Sequence, residues 1–188
     1  MLPGMVRDAD ATRQRLLDAA LAEFAEHGIA GARVDRIAAQ AESNKAQIYH
    51  YFGGKAQLFD AVYGSIVRRV VEATPITTDD LPGYAAGLAR LYDVHPEVMR
   101  LAVWHRLEPG GPGADPIGAE ATSRNVAQIA RAQAAGALPA HFPPAVLLGL
   151  VQHIAATWTE VNPEFPGALP DAEQRYAYVA DAVRKLIT

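Results

Sequence analysis

One short stretch, RVDRIAAQAESNKAQIYHYFGGK, running from Arg33 to Lys55, is dense in polar residues, among them Arg33, Asn44, Lys45, Gln47, Tyr49, His50 and Lys55. All seven carry hydrogen-bond donors, two of them as side-chain amides, and suit a ligand of many acceptors. Val34, Ile37 and Ala38 stand at i, i+3 and i+4, giving a first short helix a narrow apolar seam. Asn44 is a good N-cap, because its side-chain oxygen can accept from backbone N–H groups two or three residues on. From Lys45 a second helix runs to about Phe52, with Ile48, Tyr51 and Phe52 on one face and Lys45, Gln47, Tyr49 and His50 pointing elsewhere. One face held by a core and one offered outward is the arrangement of a helix-turn-helix that enters a DNA groove. In that reading Lys45 and Gln47 reach base edges, since Lys donates to guanine and Gln pairs bidentately with adenine, and small Ala46 permits close approach. Asn44, Tyr49, His50 and Lys55 hold phosphates, Lys55 from the positive end of its helix.

The elements around this pair are helical almost throughout. The first has Leu17, Leu21 and Phe24 on one face, a cap near Asp10 and Gly28 past its end. Lys55 opens a long helix with Leu58, Val62, Ile66 and Val70 at every fourth position, ended by Thr74-Pro75. Further helices are expected over 81–93, 96–107, 119–135, 145–161 and 172–187, the last capped by Asp171. Glu108–Gly118, EPGGPGADPIG, is too rich in Gly and Pro for a regular element. No segment alternates with period two, so the fold class is all-α, with about nine helices.

GIAGARVDRIAAQAESNKAQIYHYFGGKAQLF, Gly28 to Phe59, resembles the N-terminal DNA-binding domain of the TetR family of bacterial transcriptional regulators. The preceding helix, Ala11 to Gly28, is similar to that family's first helix, and IYHYF-GGK is the most specific part of the likeness. Arg33 departs from the family, which usually has Ser or Thr there as a cap; helix two is then less well capped, while the guanidinium gains a phosphate. The resemblance implies a DNA-binding domain over 10–70 and a ligand-binding and dimerisation domain over 71–188. It also implies a homodimeric repressor on a palindromic operator, released by a small-molecule effector, with the Lys55–Ala73 helix carrying the change.

Composition agrees. The 188 residues include no cysteine, which excludes disulfides, thiolate zinc sites and cysteine nucleophiles. The longest apolar run is broken by Gln152 and His153 and is too short to span a bilayer, and the N-terminus lacks an apolar signal core, so a cytoplasmic protein without membrane contact is expected. Net charge is −4, yet residues 1–55 carry seven Lys/Arg against seven Asp/Glu and the remainder ten against fourteen. The acidic deficit therefore lies away from the helix-turn-helix, where local cations matter for phosphate binding. No phosphate loop, nucleophile elbow or HExxH pair is present, so no catalytic residue, metal or cofactor is expected.

Bulky residues on the middle helices suggest a ligand cavity: Tyr92, Met99, Val103, Trp104, His105, His153 and Trp158, joined by Tyr84, Leu88, Leu91 and Phe142. Aromatic residues at helical spacing are more often plain core. AVLLGLVQHIAATW is apolar nearly all round, and Tyr176, Val179, Val183 and Leu186 form a stripe on the final helix. These two helices either close the core of one chain or pair with a second copy as a four-helix bundle. In the second case Leu147, Leu150, Ile154, Val179 and Val183 are the candidate seam.

Overall fold

The computed structural model describes residues 3–107, 116–162 and 170–188; of residues 3–8, 116 and 117 it describes the backbone alone. Among the described residues the fold is all-α: α1 Pro3–Gly31, α2 Val34–Gln40, α3 Lys45–Phe52, α4 Lys55–Ala73, a 3-10 turn Thr78–Asp80, α5 Leu81–Val94, α6 Pro96–Leu107, α7 Pro116–Ala134, α8 Pro144–Ala155 and α9 Ala172–Leu186. Two compact units result. The first comprises Met1–Ile66 with Arg100–Gly111, the second Val67–Met99 with Pro112–Thr188.

In the first unit, Leu16, Ala20 and Phe24 of α1, Ile37 of α2, Ile48 of α3, Leu58 and Val62 of α4 and Leu101 of α6 are fully buried. Each large side chain so removed from water contributes ~1.5–3 kcal/mol. Phe24 and Phe59 meet edge to face at 5.2 Å. α1 starts well before Asp10, which therefore lies inside the helix and caps nothing. The helix is broken at Gly28 (φ 63°, ψ 180°) and resumes for one further turn. Only glycine suits that position. Its φ lies in the left-handed region, and a Cβ there would sit 2.8 Å from the Trp104 ring.

The second unit is an apolar core of Leu88, Ile129, Leu147, Leu148, Val151, Val179 and Val183, in which α5 packs chiefly on α9 and also on α8. Polar staples orient α9: Asp93 accepts from Arg175 and from the Tyr176 hydroxyl (2.9 Å), and the Arg90 guanidinium lies 4.8 Å over the Tyr176 ring. Asp171 caps α9 as expected, accepting from the Gln174 amide at 2.9 Å. His141 Nε2 lies 3.0 Å from the Leu186 carbonyl at the other end.

Other expectations also need correction. α8 stops at Ala155 and not near Val161, because the Thr159 hydroxyl and the Asn162 amide both donate to the Ala156 carbonyl (each 2.8 Å) and take it out of any continuing ladder. α7 begins at Pro116, so the end of the Gly/Pro segment is helical; 108–115 lie outside the described residues. Of the five seam candidates, Leu147, Val179 and Val183 are buried in the core of a single chain. Leu150 and Ile154 are only partly buried, and the large apolar side chains that these two helices expose are Val146 (47%) and Tyr178 (54%). A stripe read from sequence shows that a face is covered. It does not say whether the same chain or a second copy covers it.

The candidate cavity residues are divided between the two units. α6 crosses the division between units: Met99 is the last residue of the second, while Val103, Trp104 and His105 belong to the first. There Trp104 seats on Gly28, and His105 (5% exposed) stacks on Tyr63, with ring centroids 4.0 Å apart and 11° between planes. His153 is exposed, and its Nδ1 lies 2.8 Å from the carbonyl of Gly149 on its own helix. Tyr92 and Trp158 pack at the margin of the second unit's core. Single-helix periodicity cannot assign halves of one helix to different cores.

Candidate nucleic-acid interface

The turn between α2 and α3 is built by backbone hydrogen bonds. Ser43 N–H donates to the Ala38 carbonyl at 2.9 Å and Glu42 N–H to the Ala39 carbonyl at 3.1 Å, the paired bonds of a Schellman C-cap. Such a cap needs a left-handed residue, and Glu42 takes it at φ 50° although it is not glycine. Two residues later Asn44 caps α3, its Oδ1 accepting from the Gln47 amide at 3.1 Å. Gly53 (φ 88°) stops α3, its N–H donating to the Tyr49 carbonyl. The helix-turn-helix is thus punctuated where the sequence placed the punctuation.

α3 buries Ile48 and Phe52 and leaves Lys45, Ala46, Tyr49 and His50 exposed, with Gln47 partly so. Tyr49, 55% exposed, is a large aromatic standing in water. Lys45 Nζ lies 2.5 Å from Asp35 Oδ1. Both groups are about half exposed, so the pair is worth little and a phosphate or base can take the lysine from it.

Arg33 is exposed at the N-cap of α2 and makes no side-chain cap, as its departure from the family pattern implied. The missing cap comes from elsewhere. Glu23 of α1, 6% exposed, accepts from the Arg33 backbone N–H at 2.8 Å and from Arg36 Nε at 2.8 Å. Burial raises the carboxyl's pKa, but the Arg36 guanidinium and the Arg33 amide more than offset it, and Glu23 titrates below its ordinary range. Sequence reasoning missed this pair because ten or more residues separate the partners.

Lys55 departs from its expected role. Its Nζ donates to the carbonyls of Ile29 (2.7 Å) and Ala32 (3.2 Å), with that of Ala30 at 3.5 Å. An ammonium has three donors, and three carbonyls face it here, which leaves none for a phosphate.

Beside the exposed edge of α3 lies an open polar groove of about 400 Å³, lined by Ala9, Thr12 and Arg15 of α1, Glu42, Ser43 and Asn44 of the turn, and Gln47 and Tyr51 of α3. Arg15 is held there by bonds to the Ala41 carbonyl (3.2 Å) and to Thr12 (3.1 Å). Sequence reading passed over Thr12 and Arg15 because it treated α1 only as support; their i, i+3 spacing on the polar side of that helix was the available signal.

A capped recognition helix with its polar face exposed, carried on a small all-α core and followed by a larger helical unit, defines a helix-turn-helix DNA-binding regulator. Comparison with known proteins agrees. Residues 16–62 match the profile described as "Bacterial regulatory proteins, tetR family", and residues 80–185 that of the "Tetracyclin repressor-like, C-terminal domain". The chain is 39% identical over 161 residues to the HTH-type transcriptional repressor SCO4008 of Streptomyces coelicolor, covering 84% of this chain and 83% of that one. It is 32% identical to the repressor NicS of Pseudomonas putida over 55% of this chain and 52% of that protein. A crystal structure of the transcriptional regulator SCO4942 from Streptomyces coelicolor superposes with a TM-score of 0.82 at 37% identity, covering 94% of this chain and 98% of that one. The chain belongs to the TetR family. It is a transcriptional regulator, and ligand-responsive repression is the general behaviour of that family.

Proposed function

We propose that this regulator reads a palindromic DNA operator as a homodimer through α3, with Lys45 and Gln47 at base edges, and that a small-molecule effector bound in the second unit releases it. The observation that carries the reading is the polarity of α3: Ile48 and Phe52 are buried, while Lys45, Tyr49 and His50 are exposed beside a groove that presents Thr12, Arg15 and Ser43. Arg33, Tyr49, His50 and Arg15 contact phosphates, and Asn44 holds the helix end that aims the pair. One recognition helix reads only a few base pairs, so two half-sites on adjacent turns require two copies. Val146, Leu150, Ile154 and Tyr178 form the dimer seam, since they are among the large apolar side chains of α8 and α9 left wholly or partly uncovered by their own chain. In the second unit Tyr84 carries a hydroxyl, bonded to Gln152, into an apolar core, and is a better anchor for an effector than exposed His153. No described helix is long and apolar enough to cross a membrane, which fits a regulator working on cytoplasmic DNA.

The test is selection of duplexes from a random library by the wild-type protein. A palindromic consensus is expected, with light scattering giving twice the 20.1 kDa chain mass. Gln47→Ala should relax preference at one position per half-site, at a cost of ~1–3 kcal/mol. Failure to enrich any sequence, or tight binding of a palindrome by a stable monomer, sinks the reading.

A further inference from the structure

The turn that follows Gly28 ends α1, and every carbonyl in it is taken by a cationic side chain from another helix. Lys55 of α4 takes Ile29, Ala30 and Ala32, and Arg36 of α2 takes Gly31 at 3.0 Å. The carbonyl end of a helix is the negative end of its dipole, so cations are favoured there. The placement on the chain gives Lys55 its consequence. The helix-turn-helix leaves this turn at Arg33 and ends at Gly53, and Lys55 stands two residues beyond that end. A bond of 2.7 Å from Lys55 to Ile29 therefore ties the exit of the DNA-reading segment to its entrance, across 26 residues of chain.

We propose that Lys55 is a positioning residue for DNA reading: its ammonium staples the start of α4 to the turn between α1 and α2 and so fixes the angle at which α3 is presented. The proposal rests on the reading of α3 as the DNA-contacting helix. It assigns Lys55 no phosphate. Arg36, held by Glu23 and donating to Gly31, clamps the same turn from the α2 side. Loss of the staple leaves the donors of α3 in place and frees the segment to tilt, so sequence-specific affinity falls while non-specific attraction, which needs only cations near phosphates, is kept.

Amine-reactive footprinting of the wild-type protein tests this without a variant, using a duplex it selects from a random library. Free in solution, Lys55 should react at least tenfold more slowly than exposed Lys45 and Lys185, and the duplex should protect Lys45 while changing Lys55 less than twofold. In a second arm, Lys55→Met should weaken binding to the selected duplex at least tenfold, leave a scrambled duplex within twofold, and keep the salt slope. Lys55 reacting as fast as Lys45 in the free protein and becoming protected by the duplex would overturn the proposal. So would a salt slope flattened by about one unit per subunit in Lys55→Met, the mark of a lost phosphate contact. If the wild type selects no duplex, the DNA reading itself fails and the positioning role with it, whereas the free-protein rates still report whether the staple exists.

Discussion

The two units are held together by different means. In the first, polar side chains bond to backbone where helices begin and end: Glu23 to the Arg33 amide, Arg36 to the Gly31 carbonyl, Lys55 to the carbonyls of Ile29 and Ala32, Asn44 to the Gln47 amide. In the second, long helices bury a continuous apolar core, and the polar ties, such as Asp93 with Tyr176, lie at its edge. Helices of seven and eight residues are too short to be stable by propensity, so the reading head depends on caps and staples. The second unit, whose described α-helices are all longer than those two, can instead rely on area. Directional bonds fix angles, which a DNA reader needs; apolar packing is less directional and tolerates more repacking.

The sharpest test of that contrast is in the second unit. Val183→Glu puts a carboxylate into a fully buried site with no counter-charge, at a cost of several kcal/mol, and should unfold the chain. Val146→Glu, on the exposed side of α8, should leave thermal unfolding of the isolated chain nearly unchanged while dissociating the dimer. Circular dichroism and light scattering on both variants decide it. A folded, monomeric Val183→Glu would return that residue to the seam.

In the first unit, Glu23→Gln keeps the shape of the staple and removes its charge, so ~2–3 kcal/mol should be lost from charge-assisted bonds. The pH dependence follows from the sign of the shift. Glu23 is depressed in the folded state, so the stability it contributes is present above its unfolded value, near pH 4.5, and is lost as pH falls through the lower folded value. Melts of the wild type and Glu23→Gln should therefore converge in acid and part above about pH 5. Parallel curves across that range would mean that the carboxylate carries no net charge-linked stability.

Gly28→Ala should cost ~1–3 kcal/mol, from a left-handed φ together with the clash against Trp104. Trp104→Ala in the same chain should recover the clash but not the φ strain, so a double-mutant cycle must show coupling. Additive effects would remove Trp104 from that seat. The smallest change expected is a gain. Glu42→Gly relieves a left-handed φ of 50° in the turn and should raise stability by up to ~1 kcal/mol, read as a melting shift of a few degrees.

What could be read from residues alone is what neighbours along the chain decide. The Asn44 cap, the Gly53 stop and the division of α3 into a buried Ile48 and Phe52 and an exposed Lys45, Tyr49 and His50 depend on spacing within a few residues. So does the all-α fold, since a period of 3.6 is a local signal. What only the tertiary structure decided is which groups meet across long separations. Lys55 carries the donors a phosphate needs, and nothing near it on the chain reveals that the carbonyls 23–26 residues earlier have already taken them. Val183 and Val146 are the same residue type, each in an apolar stretch of its helix, yet one is sealed inside and the other faces water. Trp104 reads as a cavity wall until α6 is seen to lay it on Gly28, where the absence of a single Cβ makes room for an indole ring. Periodicity specifies that a helix has an apolar face; the partner for that face is chosen by the packing of the whole chain.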